Sequence, residues 1–182
     1  MKESGKTTYR LVLSAMFIAI GIVLPFVTGQ IQQIGNMLLP MHLPIFLCGM
    51  ICGWQYGAAA GFITPLLRSV MFGMPVLFPN AVGMAAELAV YGLVAGLIYF
   101  SFRRKNVIAV YVSLISAMLL GRVAWGAVQT LILGFGDSPF TMKMFVAGAF
   151  VNAVPGIILQ LVLIPAVMTV LNHTVYGKKD KA

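Results

Sequence analysis

Three ionisable residues stand inside otherwise apolar stretches of this 182-residue chain: Arg68, Glu87 and Arg122. A glutamate near arginines has two chemistries. It closes an ion pair that locks helices together, with Arg122 or Arg68 as partner, or it leaves a guanidinium free to receive an anion. Two arginines against one glutamate leave one positive charge over, and an unpaired buried guanidinium is costly. A small carboxylate- or phosphate-bearing molecule is therefore the expected visitor. A lone membrane carboxylate can also carry protons, so a self-sufficient proton-coupled transporter using Glu87 is the alternative. Two nearby arginines would hold Glu87 ionised and spoil that use.

Helical spacing supplies the neighbours. Asn80, Met84, Glu87 and Tyr91 fall on one stripe, and Arg122, Trp125 and Gln129 on another. Asn152 and Gln160 sit at middle depth on the last apolar stretch, with Lys143 at its outer mouth. Trp125, Phe72, Phe78 and Phe140 are placed to cover the apolar part of a ligand. The expected substrate-binding set is Arg68, Asn80, Glu87, Arg122, Trp125, Gln129 and Asn152. No catalytic set converges, because His42 and His173 are expected at opposite faces. Cys48 and Cys52, four apart in an apolar run, read as buried free thiols and not as a metal site. Gly5-Lys6-Thr7 resembles only the end of a phosphate-binding loop, with no room for the glycine that should precede it. Neither a metal nor any other cofactor is expected, and the chain has no nucleotide-hydrolysing loop of its own.

The elements that position these residues must be membrane helices. Hydrophobic residues make up 60% of the chain and charged residues 9%, and mean hydropathy is +0.98. A soluble domain of that composition could not cover itself with polar surface. The apolar runs are continuous and not alternating, which excludes a barrel. Six spans are expected, at about 11–27, 37–53, 58–72, 80–100, 108–133 and 142–171, in a single transmembrane domain. The second is short for a bilayer crossing of ~20 residues. The sixth is long and holds Pro155 and Pro165, so it should be tilted, kinked or partly loop at its start. Basic residues ahead of an apolar stretch also describe a signal peptide, but five further spans favour an uncleaved first helix.

The net charge of +8 comes from short clusters between spans, a pattern of topology and not of nucleic-acid binding. Lys2, Lys6 and Arg10, then Arg103, Arg104 and Lys105, then Lys178, Lys179 and Lys181 all fall on one side if both termini are cytoplasmic. Tyr9, Trp54, Tyr56, Tyr99, Tyr111 and Tyr176 would line the same boundary as an interfacial belt. With that orientation Arg68, Glu87 and Arg122 lie at the middle or in the outer half of the bilayer. The outer segments 28–40 and 73–79 are apolar yet face outward, as lids over a cavity would.

Small residues mark close packing. Gly92 and Gly96 form a GxxxG motif, and Ala15 and Ala19 a small-xxx-small motif on the first span. Together with the size, the six spans, the inside termini and the apolar lids, the Ala15-xxx-Ala19 motif resembles the substrate-binding S components of energy-coupling factor (ECF) vitamin transporters. The segments LLPMHLPIFLCGMICG (38–53) and GFITPLLRSVMFGMP (61–75) are similar to the pantothenate-type branch. The resemblance implies a six-helix all-α membrane fold in a bacterial plasma membrane, and capture of a vitamin, such as pantothenate, at the outer face. It implies docking through Ala15 and Ala19 onto a transmembrane coupling subunit, with two ATPase subunits supplying energy.

Overall fold

The structure is a computed structural model that describes residues 2–27, 39–133 and 153–176. Among the described residues it has six α-helices and no strand: α1 (Lys2–Val27), α2 (His42–Cys52), α3 (Trp54–Phe72), α4 (Val82–Ser101), α5 (Val107–Leu133) and α6 (Val154–Tyr176). Among the described residues, four stretches are long and apolar enough to cross a membrane: Gly5–Phe26, Leu77–Ser101, Val107–Leu133 and Val154–Asn172. The all-α membrane fold expected from the sequence is the fold observed.

Helix α4 is the hub, packing against α2, α3 and α5. Glycines allow this. A Cβ on Gly92 would collide with the backbone of Gly57, and one on Gly57 would lie 2.5 Å from the Cα of Gly49. Three backbones therefore meet where α2, α3 and α4 cross, an approach only glycine permits. Gly96 continues the seam against Trp54 and the carbonyl of Gly49. The GxxxG motif thus joins α4 to the α2–α3 hairpin.

That hairpin turns on a single residue. Gly53 sits at φ 111°, ψ 162° and its N–H donates to the Gly49 carbonyl at 3.2 Å. The second element departs from the expected 37–53 span. Leu39 has φ 49°, and the helix starts only at His42. A residue ahead of a proline is already disfavoured in helix, and a left-handed one ends it. The remaining 11 residues span ~16 Å, about half of a ~30 Å hydrocarbon core. The fourth span also has a different start: Leu77–Ala81 forms a wide π-type turn before α4 begins at Val82, with Phe78 extended at its centre.

The described basic residues around Lys6 and Arg10 and at Arg103–Lys105 mark one end, and the cluster of Lys178, Lys179 and Lys181 lies outside the described residues. Asn172 Nδ2 donates to the Lys105 carbonyl at 3.0 Å, tying the end of α6 to the α4–α5 connection. Lys105 Nζ donates to the Tyr99 carbonyl and lies 4.7 Å from the Tyr99 ring centroid. Partial burial lowers its pKa from the usual lysine value. Tyr9, Trp54 and Tyr111 are exposed at this end, as an interfacial belt requires. Tyr99 is not part of that belt: it is buried, 3.4 Å from Asn172. On α1, Ala15 and Ala19 are exposed on a face shared with Leu11, Val12, Met16, Ile20 and Val23.

Candidate functional site

The polar centre is built on Glu87, in the second turn of α4 and 2% exposed. One oxygen, Oε1, receives Arg122 Nη1 from α5 at 2.8 Å and the hydroxyl of Tyr91 at 2.7 Å. Tyr91 lies one turn further inward on α4, so the i, i+4 spacing makes this bond local. His42 Nε2 stands 3.8 Å from the same oxygen, beyond hydrogen-bond range. Of the two arginines that could pair with Glu87, Arg122 is the partner.

Aromatic rings form the floor. Tyr91 stacks on Phe46 with centroids 4.8 Å apart and planes at 22°, and its centroid is 5.4 Å from that of His42. Gly121 makes room: a Cβ there would collide with the Tyr91 ring. The residue beside Arg122 therefore has to be small for α5 to ride over Tyr91 and bring the guanidinium to Glu87.

Outward from Glu87 the wall is polar. A Cβ on Gly83, one turn above, would sit 2.9 Å from Gln129 Nε2 and 3.3 Å from Trp125 Cδ1. The Arg122–Trp125–Gln129 stripe thus faces the Gly83–Glu87 face of α4, as the spacing predicts. From α6 comes Gln160, 1% exposed. Its height follows from Tyr99 and Asn172, which pair at 3.4 Å on helices running the same way. Twelve residues outward on each helix, at ~1.5 Å per residue, bring Glu87 and Gln160 to one level. Ile164 and Tyr91, one turn inward, share a core cluster, which agrees.

Four polar atoms at and above this layer are buried with no hydrogen-bond partner among the described residues: His42 Nδ1 and Nε2, Gln129 Oε1 and Gln160 Nε2. Buried polar groups are satisfied in the great majority of cases, and each exception needs an explanation. Here His42 and Gln160 lie at the level of Glu87 and Gln129 about one turn outward, against Gly83.

The other expected site residues are placed differently. Arg68 is buried, but its Nε donates to the Ile22 carbonyl at 3.3 Å and its Nη1 to the Met74 carbonyl at 3.0 Å. Its guanidinium lies 5.4 Å from the Phe26 centroid. It ties the outer end of α1 to the segment after α3 and is not beside Glu87. The charge count that placed two arginines at one carboxylate therefore does not describe this layer, which closes as one cation and one anion. Asn80 is exposed in the turn before α4. Asn152, Lys143, Phe140, most of segment 28–40 and the span start at 142–152 lie outside the described residues. Phe72 and Phe78 are exposed at the outer end, Phe72 edge-on to Phe26 at 4.9 Å.

His42 is a buried site residue that the sequence reading set aside. The signal was the length of its helix. An apolar run of 11 residues leading up from a glycine turn ends at middle depth, so its first residue cannot be at the outer face.

Neither a curated protein nor a solved structure matches the chain significantly. A family model does match over residues 9–169, and its description is the substrate-specific component of the ECF transporter. With six helices among the described residues and a buried polar layer away from the basic end, this chain belongs to the family of ECF transporter substrate-specific components.

Proposed function

We propose that this chain captures a vitamin-sized molecule from the outer side and holds it against the layer formed by His42, Glu87, Arg122 and Gln160. Tyr91 and Phe46 form the floor, and Trp125 and Gln129 the wall. The observation that carries this reading is the set of four unpartnered buried polar atoms at this layer and within about one turn outward of it. A ligand supplies the missing hydrogen bonds, and an empty site leaves them unmade at a cost of ~1–3 kcal/mol per group. The Glu87–Arg122 pair fixes the relative height of α4 and α5 and so the spacing of the wall. Segment 73–79, exposed and apolar, closes over the ligand while Arg68 holds its base. Ala15 and Ala19 present a close-packing surface to a transmembrane coupling subunit, and two ATPase subunits drive release into the cytoplasm of a bacterial cell. Pantothenate, an anion, is one candidate cargo by resemblance, and the charge balance of the Glu87–Arg122 layer argues against it.

The test is uptake in proteoliposomes carrying the chain with its coupling module. The lumen is charged with ATP, the outside holds a metabolite mixture, and accumulated species are read by mass spectrometry. ATP-dependent accumulation of one vitamin supports the proposal. Uptake that needs only a proton gradient and persists without the ATPases would replace it with the proton-coupled alternative.

A further inference from the structure

Resting on the reading just given, we propose that the captured molecule is electrically neutral and binds through an amide-, lactam- or ureide-type edge, with His42 and Gln160 as its deepest contacts. Two independent observations lead here.

The first is charge. Glu87 and Arg122 neutralise each other at 2.8 Å in a buried setting. Arg68 is directed to two backbone carbonyls elsewhere. Among the described residues no further lysine or arginine reaches this layer, since the others lie at the basic end. An anion brought to a buried, already neutral layer gives up its hydration without gaining a net opposite charge, which is strongly unfavourable. A neutral molecule meets no such barrier.

The second is the kind of atom left unpartnered. Gln160 Nε2 is a donor and Gln129 Oε1 an acceptor, while the His42 ring must donate from one nitrogen and accept at the other when neutral. An ionised carboxylate or phosphate only accepts, so it would satisfy Gln160 and one nitrogen of His42 but leave Gln129 Oε1 and the other nitrogen unmet. An N–H/C=O edge both donates and accepts. The His42 tautomer can follow the edge presented to it, because neither nitrogen is committed to a hydrogen bond within the described fold. Tyr91, stacked on Phe46 beneath, offers a flat aromatic floor suited to a planar ring.

The experiment uses the full chain in nanodiscs and yeast extract as the probe. The extract is separated on anion and cation exchangers into neutral, anionic and cationic fractions, each tested for its effect on thermal stability. The neutral fraction is expected to raise Tm in a saturable way. His42→Phe and the nearly isosteric Gln160→Met should each weaken that response about tenfold in apparent affinity, as loss of one buried hydrogen bond implies. Stabilisation by the anionic or cationic fraction alone overturns the neutral-ligand proposal and leaves capture intact. Stabilisation by none of the three overturns capture as well. A neutral-fraction response unchanged in both variants overturns the assignment to His42 and Gln160.

Discussion

Replacing Arg122 with Gln removes the cation 2.8 Å from Glu87 Oε1 and leaves a carboxylate that is 2% exposed. Among the described residues only the Tyr91 hydroxyl remains within hydrogen-bond distance, with His42 at 3.8 Å. Breaking a buried pair from one side costs ~3–5 kcal/mol, because the remaining charge is uncompensated. For a chain of this size that is a fall in Tm of roughly 6–20 °C. Adding Glu87→Gln to the same chain removes the stranded charge, and the amide oxygen still accepts from Tyr91. The double variant should return to within ~1–2 kcal/mol of the parent, since neutral replacement of a buried pair is often tolerated. A double-mutant cycle on thermal unfolding in detergent measures the coupling, expected to be at least ~2 kcal/mol. Arg122→Gln within ~1 kcal/mol of the parent, or a double variant as unstable as the sum of the two singles, would refute the pairing and the height it sets between α4 and α5.

Other consequences are as direct. Gly92→Ala should cost ~1–3 kcal/mol in unfolding experiments by forcing α4 off Gly57, while Gly5→Ala, with nothing within 4 Å, should be neutral or slightly stabilising. Arg68→Gln should speed hydrogen exchange at the amides of residues 73–78 and lower Tm, because the Ile22 and Met74 carbonyls lose their donor. Ala15→Leu with Ala19→Leu should abolish copurification with the coupling subunit while ligand-induced stabilisation of the isolated chain persists, since both positions lie on the exposed face of α1.

What the sequence disclosed follows its physics. Charges in an apolar run are conspicuous, so Glu87 and Arg122 stood out, and their helical stripes placed Trp125 and Gln129 correctly beside them. The GxxxG at Gly92 and Gly96 was legible because only small residues let backbones meet. Depth was legible from counting rise, but the angle around the bundle was not. Arg68 has a depth compatible with Glu87, yet it points to the α1 side, where the Ile22 carbonyl draws it away. His42 was misplaced for a different reason: its helix was expected to start at about residue 37, while Leu39 at positive φ delays the start to His42 and leaves 11 residues. Gln160 was visible at middle depth, but nothing along a single helix says that its amide faces the core. That follows from its burial once the helices are assembled, with Tyr99 and Asn172, 73 residues apart in sequence, tying α4 to α6.

The central claim is that substrate sits on this layer, and Trp125 offers a direct reporter. The chain has two tryptophans: Trp125 beside Gly83 in the outer half, and Trp54 at the inner turn against Gly96. Labelling with 5-fluorotryptophan gives two fluorine resonances, and Trp54→Phe assigns them. On titrating nanodisc-embedded protein with the stabilising fraction of yeast extract, the Trp125 resonance should shift and saturate at the concentration where Tm saturates, with Trp54 unchanged. A Trp125 resonance that stays fixed while the same fraction stabilises the protein would contradict the account, because the ligand would then be bound somewhere else.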